Sequence, residues 1–439
     1  MGIFFGTDGL RGVVNEELTF EVAYKCGNAL PALIDSPFVL IGRDTRVSGE
    51  YLTVAVAGGV MSGGGRVIDL GIVPTSAVAY LTRALGADFG VVISASHNPK
   101  EYNGIKVFDR NGYKLSDDEE ERIERTFITS RVRSYDKIGS FKSDHKLVKK
   151  YEDFLTGASE RTLSGLTVVL DGANGAACRV APAVFRSLGA NVIATNCFDD
   201  GMRINERCGA LYPETLVKRM KRYKADVGFA FDGDADRLIA VSADGRIIDG
   251  DMIIYMLAKH MKARGVLNEN TVVGTSHTNM GIEAALSDAG IKLIRTDIGD
   301  KYVLARLVQD GLSLGGEQSG HIILKDIHST GDGILCAIAV ANMMAESGKG
   351  LDELFDAHLY PQTNINITVK DKLKIMNSEH LMSECARVQN ALSGIGRVMV
   401  RASGTEPKIR VMVESADREL NTKFADEVAA LVRKIDGDI

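Results

Sequence analysis

Three aspartates, Asp232, Asp234 and Asp236, stand on alternate residues of one glycine-containing segment. This spacing lets all three carboxylates face one hard cation, and Mg²⁺ prefers such oxygen ligands. An EF-hand calcium loop is excluded, because it needs glycine at its sixth position and glutamate at its twelfth, where this chain has Arg237 and Ala243. Three adjacent acids would repel one another without a cation. The segment therefore predicts a Mg²⁺ site, with an Asx-rich turn as the alternative.

A second segment, residues 94–99, presents Ser94, Ser96, His97 and Asn98 on a turn that ends at Pro99. It offers a hydroxyl nucleophile, but it lacks the G-x-S-x-G elbow of a serine hydrolase. A phosphoryl acceptor is more consistent, because phosphoserine carries about −1.5 to −2 charges and could use the cation of the aspartate segment as its partner. This arrangement favours phosphoryl transfer.

Residues 401–410 concentrate phosphate-binding groups in an otherwise acidic chain. Guanidinium, hydroxyl and glycine-backbone donors come from Arg401, Ser403, Gly404, Thr405 and Arg410. Arginine forks bind phosphate oxygens in pairs, and glycine permits close approach of the backbone. The segment predicts a phosphate site, with an exposed basic hairpin as the alternative.

Three further segments carry polar or charged side chains on glycine-containing loops. Glu317, Ser319 and His321 could bind sugar hydroxyls or move protons, although an isolated histidine is often structural. Arg11 and Lys106 each place a cation on a glycine-flanked turn.

The polar segments follow β-branched runs that are typical of buried strands. Residues 90–93 precede the serine segment, residues 227–231 the aspartates, and residues 312–314 the Glu317 segment. Open α/β sheets bind ligands at the carboxyl ends of their strands. We therefore expect three similar mixed or parallel α/β domains around a central cleft. From residue 364 onward, strand-like alternation followed by helical spacing predicts a smaller α+β domain.

Length and composition agree with several domains. The chain has 439 residues, of which 45% are hydrophobic and 25% charged. The predicted domains are residues 1–156, 157–253, 254–362 and 363–439. The net charge of −6 disfavours nucleic acid and anionic membranes as partners. The longest apolar stretch, residues 333–345, is too short for a membrane span, and no basic targeting segment opens the chain, so a cytoplasmic protein is expected.

Read together, the motifs FGTDGLRG, SASHNP, DGDADR, GGEQSGH and RASGTEPKIR resemble those of the α-D-phosphohexomutase superfamily, in that order and at that rough spacing. The resemblance covers the whole chain. The Gln318 form of the sugar loop and residues 403–407 look most like the bacterial-type phosphoglucosamine mutases.

The resemblance implies interconversion of glucosamine 6-phosphate and glucosamine 1-phosphate through a 1,6-bisphosphate, which feeds UDP-N-acetylglucosamine and cell-wall precursor synthesis. It implies a phosphorylated Ser96 that holds Mg²⁺ with the three aspartates. Arg11, Lys106 and His321 would assist proton and charge transfer. Arg237, Glu317 and Ser319 would bind the sugar phosphate, and residues 401–410 its nonreacting phosphate. A homodimer is compatible with this family.

Three alternatives stay open at this point. The enzyme could be a phosphomannomutase or phosphoglucomutase, or a phosphatase that uses Asp232 as nucleophile. A noncatalytic sugar-phosphate sensor would keep the Arg401 segment but would not need Ser96 together with three metal carboxylates.

Overall fold

The structure is a computed structural model that describes residues 5–6, 9–127, 132–198, 200–403 and 407–437. The chain divides into two compact units, Met1–Thr278 with Ala289–Asp356, and Asn279–Asp288 with Ala357–Ile439. Within the described ranges, no helix is long and apolar enough to cross a membrane.

The first sheet of the larger unit is mixed and has seven strands. They are β1 (Phe5–Gly6), β2 (Gly9–Val13), β3 (Phe38–Arg43), β4 (Arg66–Ile72), β5 (Phe89–Ile93), β6 (Tyr102–Phe108) and β7 (Ser140–Ser143). Their order is β1-β2-β6-β5-β3-β4-β7, with β3 parallel to β4 and β5 and with β5 antiparallel to β6. The accompanying helices are α1 (Phe20–Leu33), α2 (Gly49–Ser62), α3 (Thr75–Ala84), α4 (Asp117–Thr126) and α5 (Val148–Gly157).

Helices cover both faces of this sheet. Alternate residues of β3, Val39 and Ile41, belong to the core that α1 and α2 complete. The opposite face meets α3 at Gly42, where a Cβ would lie 2.5 Å from the Val78 side chain. Because both faces are buried, β3 and β5 read as nearly continuous apolar runs in the sequence.

The second sheet carries the aspartate segment at the end of a central strand. Its strands are β8 (Thr167–Asp171), β9 (Asn191–Thr195), β10 (Val227–Phe231), β11 (Leu238–Ser242) and β12 (Ile247–Ile248). They lie in the order β12-β11-β10-β8-β9, and β8 is parallel to both β9 and β10. The helices α6 (Ala177–Ser187) and α7 (Glu214–Tyr223) accompany this sheet.

The third sheet contains β13 (Thr271–Thr275), β14 (Lys292–Thr296), β15 (Leu314–Gly316) and β16 (Ile322–Leu324), in the order β14-β13-β15-β16. The next helices are α8 (Gly250–Ala263), α9 (Met280–Asp288), α10 (Asp300–Asp310), α11 (Gly333–Ser347) and α12 (Leu351–Leu354). The strand predicted at residues 312–314 instead begins at Leu314. Gly315 and Gly316 continue it, because they pair with Ile323 and Ile322 of β16.

The smaller unit comprises α9 and the C-terminal part of the chain. Three antiparallel strands, β17 (Gln362–Thr368), β18 (Gly396–Ala402) and β19 (Lys408–Ser415), lie in the order β17-β19-β18. The helices are α13 (Lys372–Met376), α14 (Glu379–Ala391) and α15 (Arg418–Gly437), and α15 packs Val428 and Val432 into the core of this unit. Three α/β sheets followed by an α+β region confirm the predicted fold class.

Candidate active site

The three aspartates form one buried cluster in the loop that follows β10. Asp232 and Asp234 are fully buried and Asp236 is 4% exposed. One carboxylate oxygen from each lies within 4.8 Å of the others. Ala235 has a φ of +60°, which turns the loop so that alternate residues face the same point. The local geometry therefore matches the arrangement expected from the sequence spacing.

Ser96 lies against this cluster although it comes from the first sheet. Its Oγ donates a hydrogen bond to Asp232 Oδ2 at 2.6 Å and lies 3.2 Å from His97 Nδ1. Ser96 has a left-handed φ of +51°, a conformation that costs a residue other than glycine about 1 to 2 kcal/mol. Such strain persists only where the surrounding structure holds it, and it is concentrated at functional sites.

Burial and mutual repulsion strongly perturb the aspartate carboxyls. Burial raises the pKa of Asp232 well above its usual range, and the charges of Asp236 and Asp234 raise it further. Burial also opposes ionisation of Asp236, but Lys106 and His321 hold the pKa of that carboxyl well below its usual range. The pKa values of Asp232 and Asp236 therefore shift in opposite directions, and strongly perturbed pKa values are typical of functional sites.

Two carboxylate oxygens in the cluster remain without a hydrogen-bond partner. Among the described residues, Oδ1 of Asp234 and Oδ1 of Asp236 are buried and accept no hydrogen bond. Leaving a buried charged oxygen unsatisfied is costly. A divalent cation bound between the three side chains would satisfy these oxygens, so the donor set fits a metal ion with hard oxygen ligands.

Lys106 and Arg11 enter the site from neighbouring strands. Lys106 on β6 is 2% exposed, and its Nζ lies 3.0 Å from Asp234 Oδ2 and 3.3 Å from Asp236 Oδ2. Arg11 on β2 donates from NH1 to Asn98 Oδ1 at 3.2 Å, next to the serine turn. Arg11 therefore lies beside the serine turn, and Lys106 lies beside the aspartate cluster.

His321 lies between two carboxylates. Its Nδ1 is 3.7 Å from Asp236 Oδ2, and its Nε2 is 3.6 Å from Asp300 Oδ2. Burial acts to lower the pKa of His321, but the charges of Asp236 and Asp300 outweigh it and raise that pKa above its usual value. Asp300 is itself paired with Lys114. A protonated imidazole is thereby favoured beside the cluster.

Of the remaining residues predicted for sugar binding, Arg237 contacts the aspartate cluster directly, and Glu317 is joined to it through the backbone of His321. Arg237 donates its backbone N–H to Asp232 Oδ1 at 3.2 Å and forms a β-bridge with His321. Glu317 accepts a hydrogen bond from the Gly299 N–H at 3.0 Å through Oε1, and its own N–H donates to the His321 carbonyl. Ser319 is exposed.

The residues predicted to bind the nonreacting phosphate lie in the smaller unit. Arg401 on β18 pairs in register with Arg410 on β19, and burial followed by the Arg410 charge lowers the pKa of Arg401. The backbone carbonyl of Ser403 accepts a hydrogen bond from Lys372 Nζ at 2.7 Å. Gly404 and Thr405 lie outside the described residues. The described part of this segment thus brings two guanidinium groups onto adjacent strands.

Sequence reasoning did not assign roles to His97 or Thr75. Burial lowers the pKa of His97 to about 4, with Arg237 and Arg11 acting in the same direction, so the imidazole beside Ser96 is neutral at neutral pH. Thr75 at the start of α3 donates from Oγ1 to Asp234 Oδ2 at 2.6 Å. The position of His97 directly after Ser96 could have indicated that it belongs to the site. Nothing in the sequence around Thr75 indicates its contact with Asp234.

Family models match along the chain. The phosphoglucomutase/phosphomannomutase alpha/beta/alpha domains I, II and III match residues 2–133, 149–245 and 249–361, and the C-terminal domain of the same family matches residues 365–431. These matches cover most of the chain and follow the order of the four sheets.

Curated relatives and solved structures agree with these matches. The phosphoglucosamine mutase of Alkaliphilus oremlandii is 45% identical over 446 residues, which cover 99% of each chain. That of Caldanaerobacter subterraneus is 46% identical over 444 residues, again covering 99% of each. A phosphoglucomutase/phosphomannomutase family protein from Burkholderia thailandensis shares the fold with a TM-score of 0.83 at 24% identity, covering 98% of this chain and 97% of its own.

The chain therefore belongs to the phosphoglucomutase/phosphomannomutase family, the α-D-phosphohexomutases, and within it to the bacterial-type phosphoglucosamine mutases. This confirms the resemblance predicted from the five motifs. It also confirms the predictions of an enzyme and of its reaction class, and it favours the glucosamine branch over the other hexomutases and over an aspartate-nucleophile phosphatase.

Proposed function

We propose that the enzyme interconverts glucosamine 6-phosphate and glucosamine 1-phosphate by passing a phosphoryl group through Ser96. Phosphoserine 96 would give its phosphoryl group to the free hydroxyl of the sugar phosphate, forming glucosamine 1,6-bisphosphate. After the bisphosphate turns around, its other phosphate would return to Ser96. The observation that carries the proposal is the contact of Ser96 Oγ with Asp232 in a buried carboxylate cluster.

Mg²⁺ is the cofactor that this cluster supports best. Asp232, Asp234 and Asp236, together with the phosphorylated Ser96, would hold it, and the unpartnered Oδ1 atoms of Asp234 and Asp236 support this assignment. When bound, the ion would neutralise negative charge on the phosphoryl group. A structural neighbour at 18% identity, the N-acetylphosphoglucosamine mutase of Aspergillus fumigatus, was solved with GlcNAc-6P and magnesium. It has a TM-score of 0.70 and covers 99% of this chain and 96% of its own.

The surrounding cations and hydrogen-bonding groups have separate roles in this proposal. Lys106 and Arg11 would stabilise charge on the moving phosphoryl group. His321, whose raised pKa favours the protonated form, would donate its proton to the Ser96 oxygen as the phosphoryl group leaves and then regain the proton that the sugar hydroxyl releases. Arg237, Glu317 and Ser319 would bind the sugar phosphate. Arg401, Ser403, Gly404, Thr405 and Arg410 would hold the phosphate that does not react, so that either end of the sugar can be presented to Ser96.

The organisation predicted from the sequence is part of the proposal. We retain four domains of residues 1–156, 157–253, 254–362 and 363–439, although these boundaries fall within α5, α8 and β17. A cytoplasmic location and a homodimer remain predictions.

A coupled assay of sugar-phosphate turnover tests the proposal. Ser96→Ala should lower turnover by several powers of ten, because a nucleophile is lost. Ser159→Ala is a matched control, since the Ser159 hydroxyl bonds the Arg161 carbonyl and Asn342. Turnover of Ser96→Ala within tenfold of the control would refute the role of Ser96.

A further inference from the structure

A buried guanidinium lies beneath the serine turn without touching the Ser96 hydroxyl. Arg46 follows β3 and is 2% exposed. Its Nε donates to Asp44 Oδ2 at 2.9 Å. Its other N–H groups donate to four backbone carbonyls, those of Ser96, Asn98, Pro99 and Tyr102. Since arginine has five N–H donors, every one of them is used, and three of the five hold carbonyls of the serine turn.

The same residues also fix the other backbone group of Ser96. Asp44 Oδ2 accepts a hydrogen bond from Ser94 Oγ at 2.6 Å. Ser94 Oγ in turn accepts the N–H of Ser96 at 2.9 Å. The N–H and the carbonyl of Ser96 are therefore both tied, directly or through one side chain, to the Arg46–Asp44 ion pair.

A second side chain, from the segment between β9 and β10, donates a hydrogen bond to the same Ser96 carbonyl. Asn205 Nδ2 donates to the Ser96 carbonyl at 2.9 Å and to the Asn98 carbonyl at 3.3 Å. The backbone of the aspartate loop also lies close to this carbonyl, because a Cβ on Gly233 would be 2.5 Å from the Ser96 carbonyl oxygen. The left-handed Ser96 is thus held from both sides against its own conformational preference.

We propose that Arg46 is a positioning residue for phosphoryl transfer, which keeps Ser96 in its left-handed conformation and its Oγ directed at the metal carboxylates. The inference rests on the proposed role of Ser96 as phosphoryl carrier. Phosphoryl transfer depends mainly on positioning and electrostatics. A displacement of about 1 Å remote from the chemistry can cost about 100-fold in rate.

Arg46→Lys is the informative variant, because lysine keeps the charge but has only three donors and cannot reproduce the planar fork. Arg43→Lys is the matched control. Arg43, the last residue of β3, is also buried, but its guanidinium donates to Asp69 and Glu50, each at 3.0 Å. Both substitutions remove a buried guanidinium, so a merely structural effect would appear in both.

We expect Arg46→Lys to lower kcat by about 100-fold and to leave KM within about threefold. Transfer from glucosamine 1,6-bisphosphate to Ser96, followed by intact mass in a single turnover, should slow by a similar factor. Arg43→Lys should retain wild-type rates in both assays. A kcat of Arg46→Lys within about threefold of the Arg43→Lys value would overturn the inference.

Asn205→Ala keeps the inference testable if thermal unfolding shows that Arg46→Lys does not fold. It removes one of the bonds to the same carbonyl and should lower kcat by about tenfold, while an unchanged kcat would overturn the inference. Failure of the proposed function is distinguishable. In that case wild-type Ser96 would acquire no phosphoryl group, whereas failure of this inference alone leaves Ser96 phosphorylated at the same rate in Arg46→Lys.

Discussion

The Asp234→Asn substitution should weaken Mg²⁺ binding far more than it lowers the free energy of unfolding. The Asp234 side chain is fully buried, and its Oδ2 accepts hydrogen bonds from Thr75 Oγ1 at 2.6 Å and Lys106 Nζ at 3.0 Å. Oδ1 has no hydrogen-bond partner among the described residues. Asparagine keeps the shape of the side chain and removes one negative charge from the cluster.

The opposing charge effects on the metal-free protein nearly cancel. At an effective dielectric constant of 20, the Lys106 attraction across 3.0 Å is about 5.5 kcal/mol. Repulsion from a neighbouring carboxylate within 4.8 Å is at least about 3.5 kcal/mol. Because burial favours protonation of Asp232, the repulsion from Asp236 is the main one relieved. The free energy of unfolding without metal should therefore fall by no more than about 2 kcal/mol.

The effect on metal binding has no such compensation. A unit charge removed at about 4 Å from a divalent cation is worth about 8 kcal/mol under the same conditions, or on the order of a millionfold in affinity. A bound ligand stabilises the folded state by about 2.7 kcal/mol at a hundred times its Kd. Asp234→Asn should therefore abolish the rise in Tm that Mg²⁺ gives the wild type at millimolar concentrations.

Thermal unfolding during a Mg²⁺ titration, paired with turnover measurements, tests this prediction. Asp226→Asn is the control. Asp226 immediately precedes β10, at the end of that strand opposite to the aspartate loop, and it accepts a hydrogen bond from the Thr167 N–H. The control should keep both the Mg²⁺-dependent rise in Tm and the activity. An Asp234→Asn protein that shows the wild-type Mg²⁺ titration would refute the reasoning, since the aspartate loop would then be only a turn.

Three further substitutions probe other parts of the chain. Arg410→Ala should raise KM for the sugar phosphate by about tenfold or more and lower kcat less, because the charged hydrogen bond proposed to the nonreacting phosphate would be lost. Gly331→Ala should lower kcat by about 10- to 100-fold, because its Cβ would lie 2.3 Å from His321 Nε2 and the imidazole must move. Asp332→Asn should flatten the pH dependence of stability, because burial raises the Asp332 pKa from 3.8 to about 6. The stability from its bound proton is present below pH 3.8 and is lost as pH rises through about 6.

Each of these substitutions has a control and an outcome that contradicts it. For Arg410→Ala the control is the exposed Arg433→Ala, and an unchanged KM would remove Arg410 from the phosphate site. For Gly331→Ala the control is Gly157→Ala, where the added Cβ meets nothing within 4 Å, and equal kcat values would contradict the prediction. For Asp332→Asn, urea unfolding should show the variant gaining about 2 kcal/mol relative to wild type between pH 4 and pH 7. A constant difference would show that Asp332 does not hold its proton.

The sequence was most informative where a buried strand leads directly into a polar loop. The run at Val227–Phe231 is completely buried as β10, so its apolar character located the strand and the following aspartates fell at its carboxyl end. Residues 90–93 likewise placed the serine turn after β5. These signals are local, because a strand buried on both faces must be apolar at nearly every position.

The parts that the sequence did not predict depend on contacts between distant segments. Asn205 lies 109 positions from Ser96, and neither residue marks the other in the sequence. Asp44 and Arg46 also follow a buried strand, so the same rule could have selected them. Only the folded structure shows that Arg46 donates to backbone carbonyls of the serine turn and that Asp44 accepts from Arg46 and Ser94. The raised pKa of His321 similarly depends on charges from distant segments, first that of Asp236 and then that of Asp300 at the start of α10.

Single-turnover transfer from the isolated phosphoenzyme tests the central claim most directly. Enzyme carrying a radiolabelled phosphoryl group is mixed with unlabelled glucosamine 6-phosphate, and the label is followed in protein, bisphosphate and monophosphate. The account predicts that the label starts on Ser96, resists hydroxylamine, appears in glucosamine 1,6-bisphosphate and then in glucosamine 1-phosphate. Release of the label by hydroxylamine, which marks an acyl phosphate such as one on Asp232, or its retention on the protein throughout turnover, would contradict the account.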